Sequence, residues 1–235
     1  MKLKYKKVSV VLAIMAAVNI SPISFTKVHA ATDSIAAIQT NTDEKVIVQK
    51  ATTNTNKAWT VTFNSEVDYN EIKNVLQVNE VNNGQLGSVV PVTILPLTNS
   101  SMKIIPPSGG YKKGQFYQIT VKKGVKSKKG KTMIKNNVMK FSVNGENTAI
   151  GKVEISPVLS MFKVVTINAT TRPDIKKYKI EGNDNLFNIG EASINIIENK
   201  SSVQVYLYGN DGTTLLGKTS LDVGRQISDK ILQIQ

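Results

Sequence analysis

The chain has 235 residues, a net charge of +13 from 30 basic and 17 acidic side chains, one histidine and no cysteine. That histidine, His29, falls in a segment that the N-terminal pattern predicts to be removed, so the mature chain carries neither imidazole nor thiol. This excludes Ser-His-Asp and Cys-His nucleophilic catalysis, histidine as a general base, zinc held by those ligands, and disulfide bracing of the fold.

Lys2, Lys4, Lys6 and Lys7 precede an apolar run from Val8 to Ile20, and Val28-His29-Ala30 supplies a small-residue cleavage site. Together they predict a secretory signal peptide over 1–30. The run is shorter than the ~20 residues a span needs, and Ser21-Pro22 interrupts it, so no membrane span is expected after cleavage. No cysteine follows for lipid attachment, and no later wall-sorting tail is evident. The expected location is therefore secreted, extracellular or cell-wall associated by non-covalent contact. Cleavage leaves 205 residues with 25 basic and 17 acidic side chains, a charge of +8.

Residues 31–43 are small and polar and read as a flexible leader. From 44 to 145 short alternating stretches follow one another, with no long helical pattern. Trp59, Val61 and Phe63 share one face of a strand and Thr60, Thr62 and Asn64 the other, the period-two mark of a half-buried sheet. Tyr117, Ile119 and Val121 repeat the pattern, as do Met139, Phe141 and Val143. Val46 and Val48 alternate with Ile47. Val90, Val92 and Ile94 form a further stripe in which Pro91 indicates an edge. Trp59, the one tryptophan, is either a ligand platform or a core residue; its alignment with Val61 and Phe63 favours the core.

The blocks WTVTFNSEVD at 59–68, IIPP at 104–107, GYKKGQFYQITV at 110–121, GKTM at 130–133 and FSV at 141–143 resemble the Ig-like modules of bacterial surface-layer proteins, the SbsA type. The resemblance spans 45–143. It implies a sandwich fold, a non-catalytic accessory role and kinship with exported Gram-positive proteins. It brings no catalytic residue and no cofactor. The chain departs from long surface-layer proteins in being short and in carrying no surface-layer homology repeats.

Glu66, Asp68 and Glu71 are close enough in sequence to suggest paired carboxylates for glycoside hydrolysis. Asp68-Tyr69-Asn70-Glu71 also has the spacing of a helix capping box, which is the favoured reading. Asp184 in Gly182-Asn183-Asp184-Asn185 and Asp211 in Gly209-Asn210-Asp211-Gly212 lack the spaced ligand set of a calcium loop and read as turns. No catalytic or metal site is assigned.

From Lys112 to Lys140 there are ten lysines and no acid. Lys122, Lys123, Lys126, Lys128, Lys129 and Lys131 follow the Tyr117 strand, and their glycines predict a turn that presents ammonium groups together. Either this turn is simply solvated, guarding sheet edges from association, or it binds an anionic cell-wall polymer in a salt-sensitive way. Specific nucleic-acid recognition is not expected, because interleaved aromatics and arginines are missing.

A boundary at Asn144-Gly145-Glu146-Asn147 opens a second β-sandwich module over 148–235. Alternation recurs at 153–155, 165–167, 178–180, 194–196 and 203–208, and the tail from Gly224 is either a last strand or a loose end. If Val203, Val205 and Leu207 face the core, Tyr206 and Tyr208 share the outer face. There they either stack on sugars or fill a protein interface, or they cover a neighbouring strand. The fold class expected is all-β, two tandem Ig-like β-sandwich modules after a cleaved signal peptide. The expected function is a non-catalytic cell-surface or wall-associated binding or spacer protein that takes no cofactor. The alternative is an adhesin or effector that binds a host or surface protein or glycan through the second module. Oligomeric state is not legible in the sequence.

Overall fold

The computed structural model describes residues 43–235. The expected signal peptide over 1–30 and all but the last residue of the expected leader lie outside the described residues.

The N-terminal half is built from β1 (Glu44–Thr52), β2 (Trp59–Thr62), α1 (Tyr69–Val75), β3 (Leu76–Asn82), β4 (Gln85–Val89), β5 (Thr93–Thr98), β6 (Ser101–Ile105), β7 (Gln115–Val121) and β8 (Asn136–Val143). Its strands form a five-stranded sheet in the order β1-β8-β7-β3-β4 and a three-stranded sheet in the order β2-β6-β5. The C-terminal half contains β9 (Thr148–Ile155), β10 (Phe162–Thr170), β11 (Lys177–Ile180), β12 (Phe187–Asn188), β13 (Ala192–Ile196), β14 (Ser202–Tyr208), β15 (Leu215–Asp222) and β16 (Ile227–Gln233). These make two four-stranded sheets, β13-β10-β9-β16 and β12-β11-β14-β15. The fold is all-β with Ig-like sandwich character.

Two hydrophobic cores are separate in sequence. The first draws Val67, Ile72, Val78, Ile104, Tyr117 and Phe141, with Trp59, Val61 and Phe63 packed against it. Period-two alternation therefore reads these faces correctly. Trp59 is half-buried, its ring 4.8 Å from that of Phe141. Aromatic offset and tilted contacts of this kind add to burial, so Trp59 belongs to the packing. The second core draws Val165, Tyr178, Val205, Leu207 and Leu221. Here the Tyr178 hydroxyl donates to the Val165 carbonyl at 3.0 Å and the Glu191 carbonyl at 2.7 Å, which satisfies a buried donor.

α1 starts where Asp68 accepts the Asn70 N–H at 2.7 Å, and it buries Ile72 before the chain turns extended at Leu76. Glu71 sits in the first turn, near the positive end of the helix dipole. Asp68 caps through Asn70, the second helical residue, and not through Glu71, so the helix has an N-cap but not the expected capping box. The reciprocal bond from Glu71 is absent among the described residues.

The first strand differs from the alternating pattern read in its sequence. Among the described residues β1 pairs only with β8, in parallel, at the sheet edge, with a register shift between Ile47 and Lys50. Val46, Ile47 and Val48 are all exposed as a result, Val46 to 72%. The tail resolves as the strand β16, antiparallel to β9.

The two halves touch. Lys140 on β8 faces the same way as its partner Gln118, which is buried, and it reaches Asp229 of β16. The tight turn at Gly84, between β3 and β4, lies so near Ser228 that an added Cβ would stand 2.7 Å from the serine Oγ.

Candidate functional site

The six lysines named from the sequence are gathered on one ordered excursion between β7 and β8. The Lys122 N–H donates to the Val75 carbonyl at 3.0 Å, and the Lys123 N–H donates to Asn136 Oδ1 at 2.9 Å. Beyond this base, Gly124 and Met133 close a narrow ladder through the Gly124 N–H and Met133 carbonyl, while the Met133 N–H returns to the Val125 carbonyl, each at 2.8 Å. Val125 is buried in the first core, and Met133 packs on it. The tip closes as the Ser127 N–H donates to the Lys131 carbonyl and the Gly130 N–H donates to the Ser127 carbonyl, both at 2.8 Å. Gly130 has φ +76°, a left-handed conformation that a side chain would strain. Finally, the Lys128 N–H donates to the Glu66 carbonyl at 2.9 Å and docks the tip beside Val67.

The backbone is thus fastened at its base, middle and tip, while the six side chains are exposed. Lys123 approaches Asp43 at 3.4 Å and Lys128 approaches Glu66 at 3.5 Å. Both pairs are exposed, so each contributes little and yields readily to another anion. Lys122, Lys126, Lys129 and Lys131 have no ion-pair partner among the described residues. The acidic partners come from positions distant in sequence, and no local pattern announces them.

The carboxylates considered from the sequence are placed apart in role. Asp68 caps α1, and Glu66 serves Lys128. Asp184 pairs with Lys179 at 3.0 Å. Asp211 accepts from the backbone N–H groups of Thr213 and Thr214 and from both threonine hydroxyls. Those bonds, the Thr214 hydroxyl first, lower its pKa from an ordinary 3.8 to about 2. Among the described residues no three His, Cys, Asp or Glu side chains are grouped to hold a metal ion.

Tyr206 and Tyr208 lie on the outer face of β14, both half-buried, while Val203, Val205 and Leu207 point into the second core. In register, Tyr206 stands opposite Lys179 of β11 and Lys218 of β15, and Tyr208 stands opposite Lys177. Alternation alone points to the tyrosine pair. The surrounding lysines emerge only from the strand pairing.

Residues 44–143 match the family model described as a bacterial Ig-like domain. This segment, which holds the first core and the lysine hairpin, is a bacterial Ig-like module, and such a module fits a surface-associated protein. Among solved structures, the N-terminal part of the bacterial S-layer protein SbsC is similar over 71% of this chain and 41% of that one, at 14% identity and a TM-score of 0.30. The chain thus spans less than half of that structure's length, and a likeness at that score carries no argument. No curated protein matches the chain. Among the described residues no helix is long and apolar enough to cross a membrane.

Proposed function

We propose that this is an exported, non-catalytic Ig-like protein of the bacterial surface or wall, retained by contacts between its lysine hairpin and an anionic wall polymer. In this reading 1–30 is a cleaved signal peptide, 44–145 is the anchoring module, and 148–235 is a second sandwich carried beyond it. The observation that supports it is the rigid presentation of Lys122, Lys123, Lys126, Lys128, Lys129 and Lys131, four of them without a carboxylate partner among the described residues. A solvated turn needs no such triple fastening of the backbone. A polyanion gains from it, because the charges are already assembled and little ordering remains to be done on binding. Each contact is exposed and screened by salt, so retention depends on several lysines acting together.

The test is co-sedimentation of the mature protein with purified Gram-positive cell walls. The parent is expected in the pellet at low salt, and the variant with all six lysines replaced by glutamine in the supernatant. Equal retention of the two removes the hairpin from the account.

A further inference from the structure

We infer that the outer face of the β11–β14–β15 sheet, centred on Tyr206 and Tyr208, binds a chain of carboxylated pyranose sugars. This surface lies on the second sandwich and is separate from the lysine hairpin. Residues paired across antiparallel strands project to the same side of a sheet, so Tyr206 is flanked by Lys179 and Lys218 and Tyr208 by Lys177. Residues two apart on a strand repeat at about 7 Å, which sets the two phenol rings in a row along β14.

The composition of the face selects the ligand. Aromatic rings with a polar tip stack on the C–H face of a sugar ring and keep a hydroxyl in water. Ammonium groups beside them favour a ligand with an anionic group close to its ring, such as a uronic acid carboxylate. Charge complementarity argues against a neutral glycan. The aromatic row argues against a polyol phosphate, which has no ring to stack. Lys179 is shared with Asp184, whereas Lys177 and Lys218 have no ion-pair partner among the described residues and remain available. The acids near this sheet each have partners of their own: Glu181 takes Lys200 and the Gln204 N–H, Asp222 takes Arg225, Asp211 takes the Thr213 and Thr214 groups of its own turn, and Glu191 takes the Asn188 backbone and side-chain N–H groups.

The experiment is isothermal titration of the full mature chain with galacturonic acid oligomers, neutral glucose oligomers of equal length, and a glycerol phosphate polymer. The galacturonate oligomer is expected to bind best. Tyr206→Ala and Tyr208→Ala are each expected to weaken it about tenfold, and Lys218→Gln about threefold. Tyr206→Phe and Tyr208→Phe are expected to bind like the parent, which separates loss of the ring from loss of the fold. Lys218 is exposed, so its variant keeps the fold and tests the charge contribution by itself. No binding, equal binding of the neutral oligomer, or full affinity in the alanine variants overturns the proposal. The six-lysine hairpin variant is expected to retain galacturonate binding. If it loses that binding, the ligand sits on the hairpin and the Tyr206–Tyr208 face is the wrong site, whatever the wall assay shows.

Discussion

Lys140 and Asp229 meet across the junction of the two cores, Nζ to Oδ2 at 3.4 Å, while Asp229 Oδ1 accepts from Asn168 Nδ2 at 3.1 Å. One carboxylate, 7% exposed, therefore ties β8 of the Ig-like module to β10 and β16 of the C-terminal half. Replacing it with alanine leaves a partly buried ammonium and an amide without their acceptor. Asp229→Ala is expected to cost about 2 kcal/mol in chemical denaturation. A change below about 0.5 kcal/mol would show that the junction does not depend on this contact.

The aromatic cluster of the first core gives a prediction of opposite sign. The Tyr111 ring lies tilted 4.9 Å from that of Tyr117 and edge-on 5.0 Å from that of Phe141, yet its buried hydroxyl has no hydrogen-bond partner among the described residues. Tyr111→Phe removes an unsatisfied polar group without altering the ring. It is expected to raise stability by about 1 kcal/mol, whereas Phe141→Ala, at the centre of the cluster, is expected to lower it by about 4 kcal/mol. Urea unfolding of the two variants checks both. A loss of stability in Tyr111→Phe would mean that the hydroxyl is satisfied after all.

Much of this core is legible in the sequence, and the reasons for the exceptions are physical. Trp59, Val61, Tyr117, Ile119, Phe141 and Val143 alternate cleanly because the apolar residues of each strand share one face and its polar residues, Thr60, Gln118, Thr120 and Ser142 among them, take the other. β3 escapes such reading because both of its faces are covered: Leu76 and Val78 enter the core, while Asn79 is buried on the reverse side with its amide on the Gly87 carbonyl. β13 misleads in another way. Its isoleucines, Ile194 and Ile196, are exposed, and Ser193 and Asn195 are buried and hydrogen-bonded to each other. The hairpin lysines and the tyrosine pair are legible as residue types. Their partners Asp43, Glu66, Lys177 and Lys218 come from other strands or distant turns, and strand register decides those meetings.

Titration offers a check at each end of the pH scale. Burial raises the pKa values of Tyr111, Tyr117 and Tyr178 above the ordinary 10.0. A raised folded-state pKa means that the folded form holds its proton more tightly, so this stabilisation is complete below pH 10 and is lost as pH rises beyond it. Alkaline unfolding is therefore expected with a cooperative release of tyrosine protons. Gradual tyrosine ionisation near pH 10 in the folded protein would contradict the burial of these rings.

At the acid end, Asp211 is depressed to about 2, so its contribution is complete above its ordinary 3.8 and lost as pH falls through about 2. Carboxyl chemical shifts followed by NMR are expected to place its midpoint well below those of other exposed aspartates. A midpoint near the ordinary value would mean that the Thr213 and Thr214 bonds are not formed in solution.

Retention through the lysine hairpin is decided by the binding of the mature protein to a purified wall polyanion at rising salt. The mature parent is expected to bind at 0.05 M salt and to lose roughly tenfold or more in affinity by 0.5 M, since exposed ion pairs are screened over a few ångströms there. The six-lysine glutamine variant is expected to show weak binding with little salt dependence. Parent and variant binding alike, or parent binding that holds at 0.5 M, would contradict retention through Lys122, Lys123, Lys126, Lys128, Lys129 and Lys131.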